Sequence, residues 1–308
     1  MIGKHHIVIQ NKKLKYEFDI RRNITILSGE SATGKTTLIG LLSEYAEYGT
    51  RTGMLLQSDV PCVVYNRSIN SWQDELSGCE NSIIFIDEGH DFILSKEFAS
   101  LIQKTSNYYV LITRESLPNL PYSISEIYGI RTSGKYNYPE QIYHEFYPIY
   151  PKMNYIKAKT DTILIVEDSK SGYQFFKKSL KDTEVLSAGG NSKIFETVNS
   201  ITDSKHVCII ADGAAFGAFM EEMYLVYKSR GLMSMFFPES FEWLILKSGV
   251  VDFAYIKDIL NHPEDYIDSS RYFSWEQFFT YILRKATHDD LFEYHKDSLA
   301  EYYTEGKN

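Results

Sequence analysis

Ile24-Thr25-Ile26-Leu27-Ser28-Gly29-Glu30-Ser31-Ala32-Thr33-Gly34-Lys35-Thr36-Thr37 decides how the first half of the chain is read. The run Ile24–Leu27 predicts a short buried strand. Residues 35–48, with apolar positions at Leu38, Leu41, Leu42 and Tyr45, predict a helix. Between them, residues 29–36 fit GxxxxGK[ST] at every fixed position, with the strand before and the helix after that the motif requires. Gly29 and Gly34 free the backbone to turn its N–H groups inward around an anion. The helix start adds unsatisfied donors and the positive end of a dipole. Lys35 supplies a cation for β- and γ-phosphates, and the Thr36 hydroxyl a ligand for Mg²⁺. The expected nucleotide-binding set is therefore Gly29, Glu30, Ser31, Ala32, Thr33, Gly34, Lys35, Thr36 and Thr37.

A second acidic element lies some fifty residues on. Ser82-Ile83-Ile84-Phe85-Ile86-Asp87-Glu88 reads as a buried strand that ends in two carboxylates. In α/β sheets that end of a strand is where ligands bind. Asp87 is expected to hold Mg²⁺, and Glu88 to orient and polarise an attacking water as the catalytic residue. His90 follows as either a phosphate sensor or a surface-loop histidine. Thr113-Arg114 ends the next strand candidate, where Thr113 is the expected γ-phosphate sensor and Arg114 a weaker one.

These residues make positions 5–135 resemble the P-loop ATPases, in the additional-strand group that carries Asp-Glu at the second motif. The resemblance implies ATP and Mg²⁺ as ligands. The chain has neither the [NT]KxD element that reads guanine nor an LSGGQ-like transporter signature. The first domain is placed at 1–150. Its strand candidates, Ile7–Gln10, Tyr16–Ile20, Ile24–Leu27, Met54–Leu56, Cys62–Tyr65, Ile83–Ile86 and Tyr109–Thr113, alternate with amphipathic segments and predict a mostly parallel sheet.

Tyr147-Pro148-Ile149-Tyr150-Pro151-Lys152 and the polar stretch to Thr160 read as a linker. Alternation then restarts and defines a second α/β domain at 160–308, with a tail expected to be helical through Phe241–Leu246, Phe253–Leu260, Trp275–Leu283 and Asp289–Tyr303. Ile163-Leu164-Ile165-Val166-Glu167-Asp168 and Val207-Cys208-Ile209-Ile210-Ala211-Asp212-Gly213 are both apolar strands that end in carboxylates. As parallel neighbours they would bring Glu167 and Asp212 to one sheet edge, where the pair can share a hard cation such as Mg²⁺. A Gly turn, Ala188-Gly189-Gly190-Asn191-Ser192-Lys193, lies between them.

This half resembles the Toprim domain of topoisomerases, primases and the nucleases of the overcoming-lysogenization-defect type. The resemblance places the family's catalytic, metal-holding glutamate at Glu167 and its first metal-binding aspartate at Asp212. The second aspartate falls at Ala214, which has no ligand to give; Asp168 is a possible substitute, and Glu242 a loose match to a later acidic helix. A response-regulator receiver, with Asp212 as phosphoacceptor, and a purely structural α/β domain remain alternatives. No lysine follows a late strand as a receiver requires, since Met233–Phe237 runs into Pro238-Glu239.

The 308 residues, 44% hydrophobic and 24% charged, have the balance of a folded chain of about two domains. The net charge of −9 is uneven. Residues 1–158 carry 16 basic against 17 acidic side chains, and 159–308 carry 16 against 24, which argues against a broad phosphate-binding surface in the second half. No run approaches the roughly 18 apolar residues of a membrane span, and no apolar stretch precedes the first charges as in a secretory signal. Cys62, Cys79 and Cys208 are few and widely spaced, which is the pattern of a reduced, cytoplasmic chain. The expectation is an ATPase coupled to a Toprim-like, metal-dependent domain that processes DNA or RNA, and the domain pairing resembles systems that guard against foreign DNA. The alternative is a nucleotide-gated switch whose second domain binds a protein partner without cleavage. A homo-oligomer is compatible with either, and no membrane is expected.

Overall fold

The computed structural model describes residues 1–29, 33–66, 71–137, 141–151 and 161–304, with side chains left out at 133–137. The chain divides into two compact units, Met1–Tyr150 with His262–Ser274, and Pro151–Asn261 with Trp275–Asn308. The segment 262–274, expected within the second domain, thus belongs to the first. Its backbone accepts the Gly3 amide at Glu264 O (2.8 Å) and the Asn23 side-chain amide at Phe273 O (2.6 Å).

The first unit contains β1 (His5–Gln10), β2 (Leu14–Ile20), β3 (Ile24–Leu27), α1 (Lys35–Tyr48), β4 (Leu55–Gln57), β5 (Cys62–Val64), α2 (Trp72–Ser77), β6 (Ile83–Ile86), α3 (Lys96–Ile102), β7 (Tyr108–Ile112), β8 (Ile127–Asn137) and β9 (Gln141–Pro148). They form one nine-stranded sheet in the order β4-β1-β2-β9-β8-β3-β7-β6-β5. The sheet is mixed rather than mostly parallel, because β1–β2, β1–β4 and β8–β9 pair antiparallel. The sequence does not predict the hairpin β8–β9, which takes in Tyr147 and Pro148 of the expected linker. Lys152–Thr160 lies outside the described residues.

β3, β7, β6 and β5 run parallel, with β5 at the sheet's edge, and β3, β6 and β7 are buried along their whole length. That burial is why they read as unbroken apolar runs. β2 alternates instead, with Tyr16, Phe18 and Ile20 buried and Glu17 and Asp19 exposed, as a half-covered strand does. Leu38, Leu41 and Leu42 of α1 join Leu27, Phe85 and Ile112 in the core, so the helix after the glycine loop is fixed against the sheet. Because β3, β6 and β7 run the same way, Ser28, Asp87 and Thr113 leave the sheet at one edge, with β7 between β3 and β6.

The second unit contains β10 (Thr162–Val166), α4 (Ser171–Ser179), β11 (Glu184–Ser187), α5 (Asn191–Asn199), β12 (His206–Ile210), α6 (Met220–Arg230), β13 (Met233–Phe236), α7 (Phe241–Ser248), α8 (Ile256–Asn261) and α9 (Trp275–Ala286). Its sheet is wholly parallel, in the order β11-β10-β12-β13. The crossovers β10–α4–β11 and β11–α5–β12 are the helical connections that parallel pairing demands. Asp289–Tyr303 is not the expected helix. It is mostly turns, with one short 3₁₀ segment, Glu301–Tyr303, held by the buried Tyr294 and Tyr303. Aromatic residues every few positions gave it a helical look, but they serve a packed loop.

Candidate functional site

In the first unit, Gly34 takes φ +102° at the end of the glycine loop, and a Cβ there would lie 2.8 Å from the Tyr16 hydroxyl oxygen. That hydroxyl donates to the Gly34 carbonyl at 3.0 Å. Glycine is required here by both conformation and space. Gly29 takes φ +114° at the loop's start. Glu30, Ser31 and Ala32 lie outside the described residues.

Lys35 is 5% exposed, and its ammonium donates to Gly29 O at 2.8 Å and to Thr33 Oγ1 at 3.3 Å. The loop's own oxygens thus bind the cation where the motif would place phosphate. Burial holds the Lys35 ammonium below its usual pKa, with Glu88 and Asp87 pulling it back up and Arg114 pushing it down. A cavity of about 470 Å³ opens over this floor. Thr33–Thr37, Glu88 and Arg114 line it, as do Leu14, Tyr16 and His144. Glu88 Oε1 accepts from Arg114 Nε at 3.3 Å, and Asp87 Oδ1 accepts the Glu88 amide at 2.8 Å. The oxygens of Thr36, Asp87 and Glu88 are hard donors of the kind Mg²⁺ takes.

Thr113 and His90 make other contacts, and two unexpected residues join the site. Thr113 is buried and its hydroxyl accepts the Glu115 amide at 2.9 Å, so it serves the turn while Arg114 faces the cavity. His90 packs edge-on against Tyr65, with centroids 4.9 Å apart, in an aromatic cluster with Phe92. Tyr16 and His144 come to the site from β2 and β9; no motif marked them, because only sheet pairing brings them beside the loop.

In the second unit, β10 and β12 are parallel neighbours, and Glu167 and Asp212 do emerge together: the Asp212 amide donates to Glu167 Oε2 at 2.9 Å. Asp212 Oδ1 accepts the Phe241 amide at 3.0 Å, which ties β12 to the start of α7. A cavity of about 270 Å³ lies here, lined by both residues and by Asp168, Glu242, Glu276 and Lys296. Burial pushes the Glu167 carboxyl up to about 7, helped by Glu276 and Asp168 and opposed by the Asp212 amide and Lys296. Burial, then the charge of Glu167, pushes Asp212 well above the usual carboxylate range.

Lys296 donates to Glu276 Oε1 at 2.6 Å. Burial alone would lower this ammonium, but Glu276, Glu242 and Asp212 outweigh it and hold it above its usual value. Glu242 is 1% exposed; its Oε1 accepts from the Tyr294 hydroxyl at 2.9 Å, and its buried Oε2 has no hydrogen-bond partner. Such an orphaned acceptor costs about 1–3 kcal/mol, more when charged.

Ala214 is 2% exposed and donates its amide to Glu239 O, so the strand end offers no third carboxylate. Asp168 does not replace it, since its carboxylate accepts the Gly172 and Tyr173 amides at the first turn of α4. The extra acid comes instead from α7, as Glu242. Glu276 and Lys296 had no sequence signal, lying in a helix and a loop far from either strand end. Among the described residues, no three His, Cys, Asp or Glu side chains are gathered in metal-holding geometry. The donor set is nonetheless all oxygen, and the orphaned Glu242 Oε2 is the kind of atom a cation would satisfy.

No helix among the described residues is long and apolar enough to cross a membrane. No protein-family model matches the chain, and neither the curated proteins nor the solved structures contain a match to it.

Proposed function

We propose that the first unit binds and hydrolyses ATP with Mg²⁺, and that the second is a Toprim-like, metal-dependent centre acting on the phosphodiesters of DNA or RNA. The observation that carries the first part is the buried Lys35 ammonium on the floor of a cavity whose wall holds Glu88 and Arg114. Three separate segments bring an ammonium, a carboxylate and a guanidinium to one space. Lys35 and Arg114 neutralise phosphate charge, Thr36 and Asp87 hold Mg²⁺, and Glu88 orients and polarises the attacking water. Mg²⁺, when bound, offsets the charge on the phosphate oxygens. The position of β7 between β3 and β6 is in keeping with the additional-strand ATPases.

For the second unit, support comes from the Glu167–Asp212 contact, the parallel order of the sheet and the orphaned oxygen of Glu242. Glu167 and Asp212 would hold Mg²⁺ there, and Lys296 would meet the charge of a phosphodiester. A cytoplasmic role against foreign DNA suits such a pairing.

A second reading is a nucleotide-gated switch that binds a protein partner, or further copies of itself, without cleavage. The buried Ala214 favours it, because one metal ligand is missing. A cleavage assay on single- and double-stranded DNA and RNA with Mg²⁺ or Mn²⁺ separates the two. Cleavage lost in Glu167→Gln supports the nuclease, and metal binding without cleavage supports the switch.

A further inference from the structure

The rings of Tyr16 and His144 stack at 4.5 Å between centroids and 9° between planes, beside the glycine loop. Tyr16 is 1% exposed, so what the stack presents to a ligand is the half-buried imidazole. Two contacts place the pair relative to the loop. The Tyr16 hydroxyl donates to Gly34 O, and the Thr37 hydroxyl is its side-chain hydrogen-bond neighbour. A Cβ on Gly34 would sit 3.6 Å from His144 Nδ1. Glu88 and Arg114 form another part of the same cavity wall.

We infer that the Tyr16–His144 stack is the nucleoside platform of this cavity, with the His144 imidazole carrying a stacked nucleobase. The inference rests on the proposal that the glycine loop takes a nucleoside triphosphate. With the γ-phosphate toward Glu88 and Arg114, the opposite end of the ligand leaves the loop past Thr37. There it meets Tyr16, His144 and the half-buried Leu14, an apolar and aromatic wall rather than a charged one.

The chemistry of His144 fits that role. Its Nδ1 is buried and has no hydrogen-bond partner, so at this edge the ring is held by stacking. Burial also lowers its pKa, which favours the neutral ring. Stacking of this kind accepts any flat base, because every base has a π-face.

Equilibrium binding of Mg-ATP and of Mg-tripolyphosphate to the full chain tests the platform. His144→Ala is expected to weaken ATP roughly tenfold, in line with the value of one stacked base, and to leave tripolyphosphate within about twofold. His144→Phe, which keeps a stacking ring and removes the orphaned nitrogen, should bind both ligands as the parent does. Equal weakening of both ligands by His144→Ala would overturn the inference, since the ring would then only shape the loop at Gly34. No weakening of either would overturn it too, as would selective loss of ATP in a folded His144→Phe chain. Lys35→Ala reports on the underlying reading: it should lose both ligands, and unchanged binding there overturns the phosphate loop and the platform together.

Discussion

The Asp212 backbone amide donates to the Glu167 carboxylate at 2.9 Å, joining the ends of two parallel strands whose acidic side chains face one cavity. The contact offsets part of the cost of burying Glu167, and Lys296 adds a smaller offset, yet both carboxyls remain protonated more readily than in water. The edge of this sheet therefore stores unfavourable charge that a divalent cation would relieve.

That store makes stability depend on pH. A carboxyl raised in the folded state from 4.5 to about 7 binds its proton more tightly there than in the unfolded chain. Its contribution is complete below pH 4.5 and is lost as pH rises through about 7. Chelator-treated protein should lose stability between pH 5 and 8, by on the order of 2–3 kcal/mol from Glu167 alone, with Asp212 adding to the fall. Glu167→Gln should flatten that fall, as read by urea unfolding at several pH values. An equal fall in the variant would assign it to other groups.

Divalent cations should raise the melting temperature at pH 7.5 by mass action, since they bind the folded state alone. Asp212→Asn should remove most of the rise while leaving a cooperative transition. Scanning calorimetry with Mn²⁺ and with a chelator reads it; a rise of the same size in the variant would place the metal elsewhere.

At the glycine loop the two charged side chains should separate binding from chemistry. On the proposed ATP reading, Lys35→Ala removes the cation that would meet ground-state phosphates, and should weaken Mg-ATP about a hundredfold or more. Glu88→Gln should bind ATP nearly as the parent does and lose about 10²–10⁴ in kcat, the usual worth of a positioned general base. Undiminished hydrolysis in both would remove the ATPase assignment.

Tyr294→Phe should destabilise the second unit by about 1–3 kcal/mol. It strips the buried Ser171 hydroxyl and Glu242 Oε1 of a shared partner, at 2.7 and 2.9 Å respectively. Thermal unfolding of the variant checks this, and an unchanged transition would mean that water reaches Glu242.

The sequence by itself determined the parts governed by local pattern. The strand Ile24–Leu27, the helix Lys35–Tyr48 and the glycines that need positive φ between them are present as read, because a short apolar run, a helical period and a GxxxxGK[ST] spacing each constrain neighbouring residues. The two acidic strand ends of the second unit were legible for the same reason, and their adjacency followed once the strands paired in parallel. Only the tertiary structure decided what distant segments bring. Antiparallel pairing of β8 with β9, and β9 lying beside β2, put His144 on Tyr16 and both at the loop. Packing of α7, α9 and the 289–303 loop brought Glu242, Glu276 and Lys296 to the carboxylate pair. It also turned Asp168 to the start of α4, and placed Thr113 in a turn with Arg114 facing the cavity. A side chain's direction at a strand end depends on which neighbours satisfy its polar atoms, and those neighbours lie tens or hundreds of residues away along the chain.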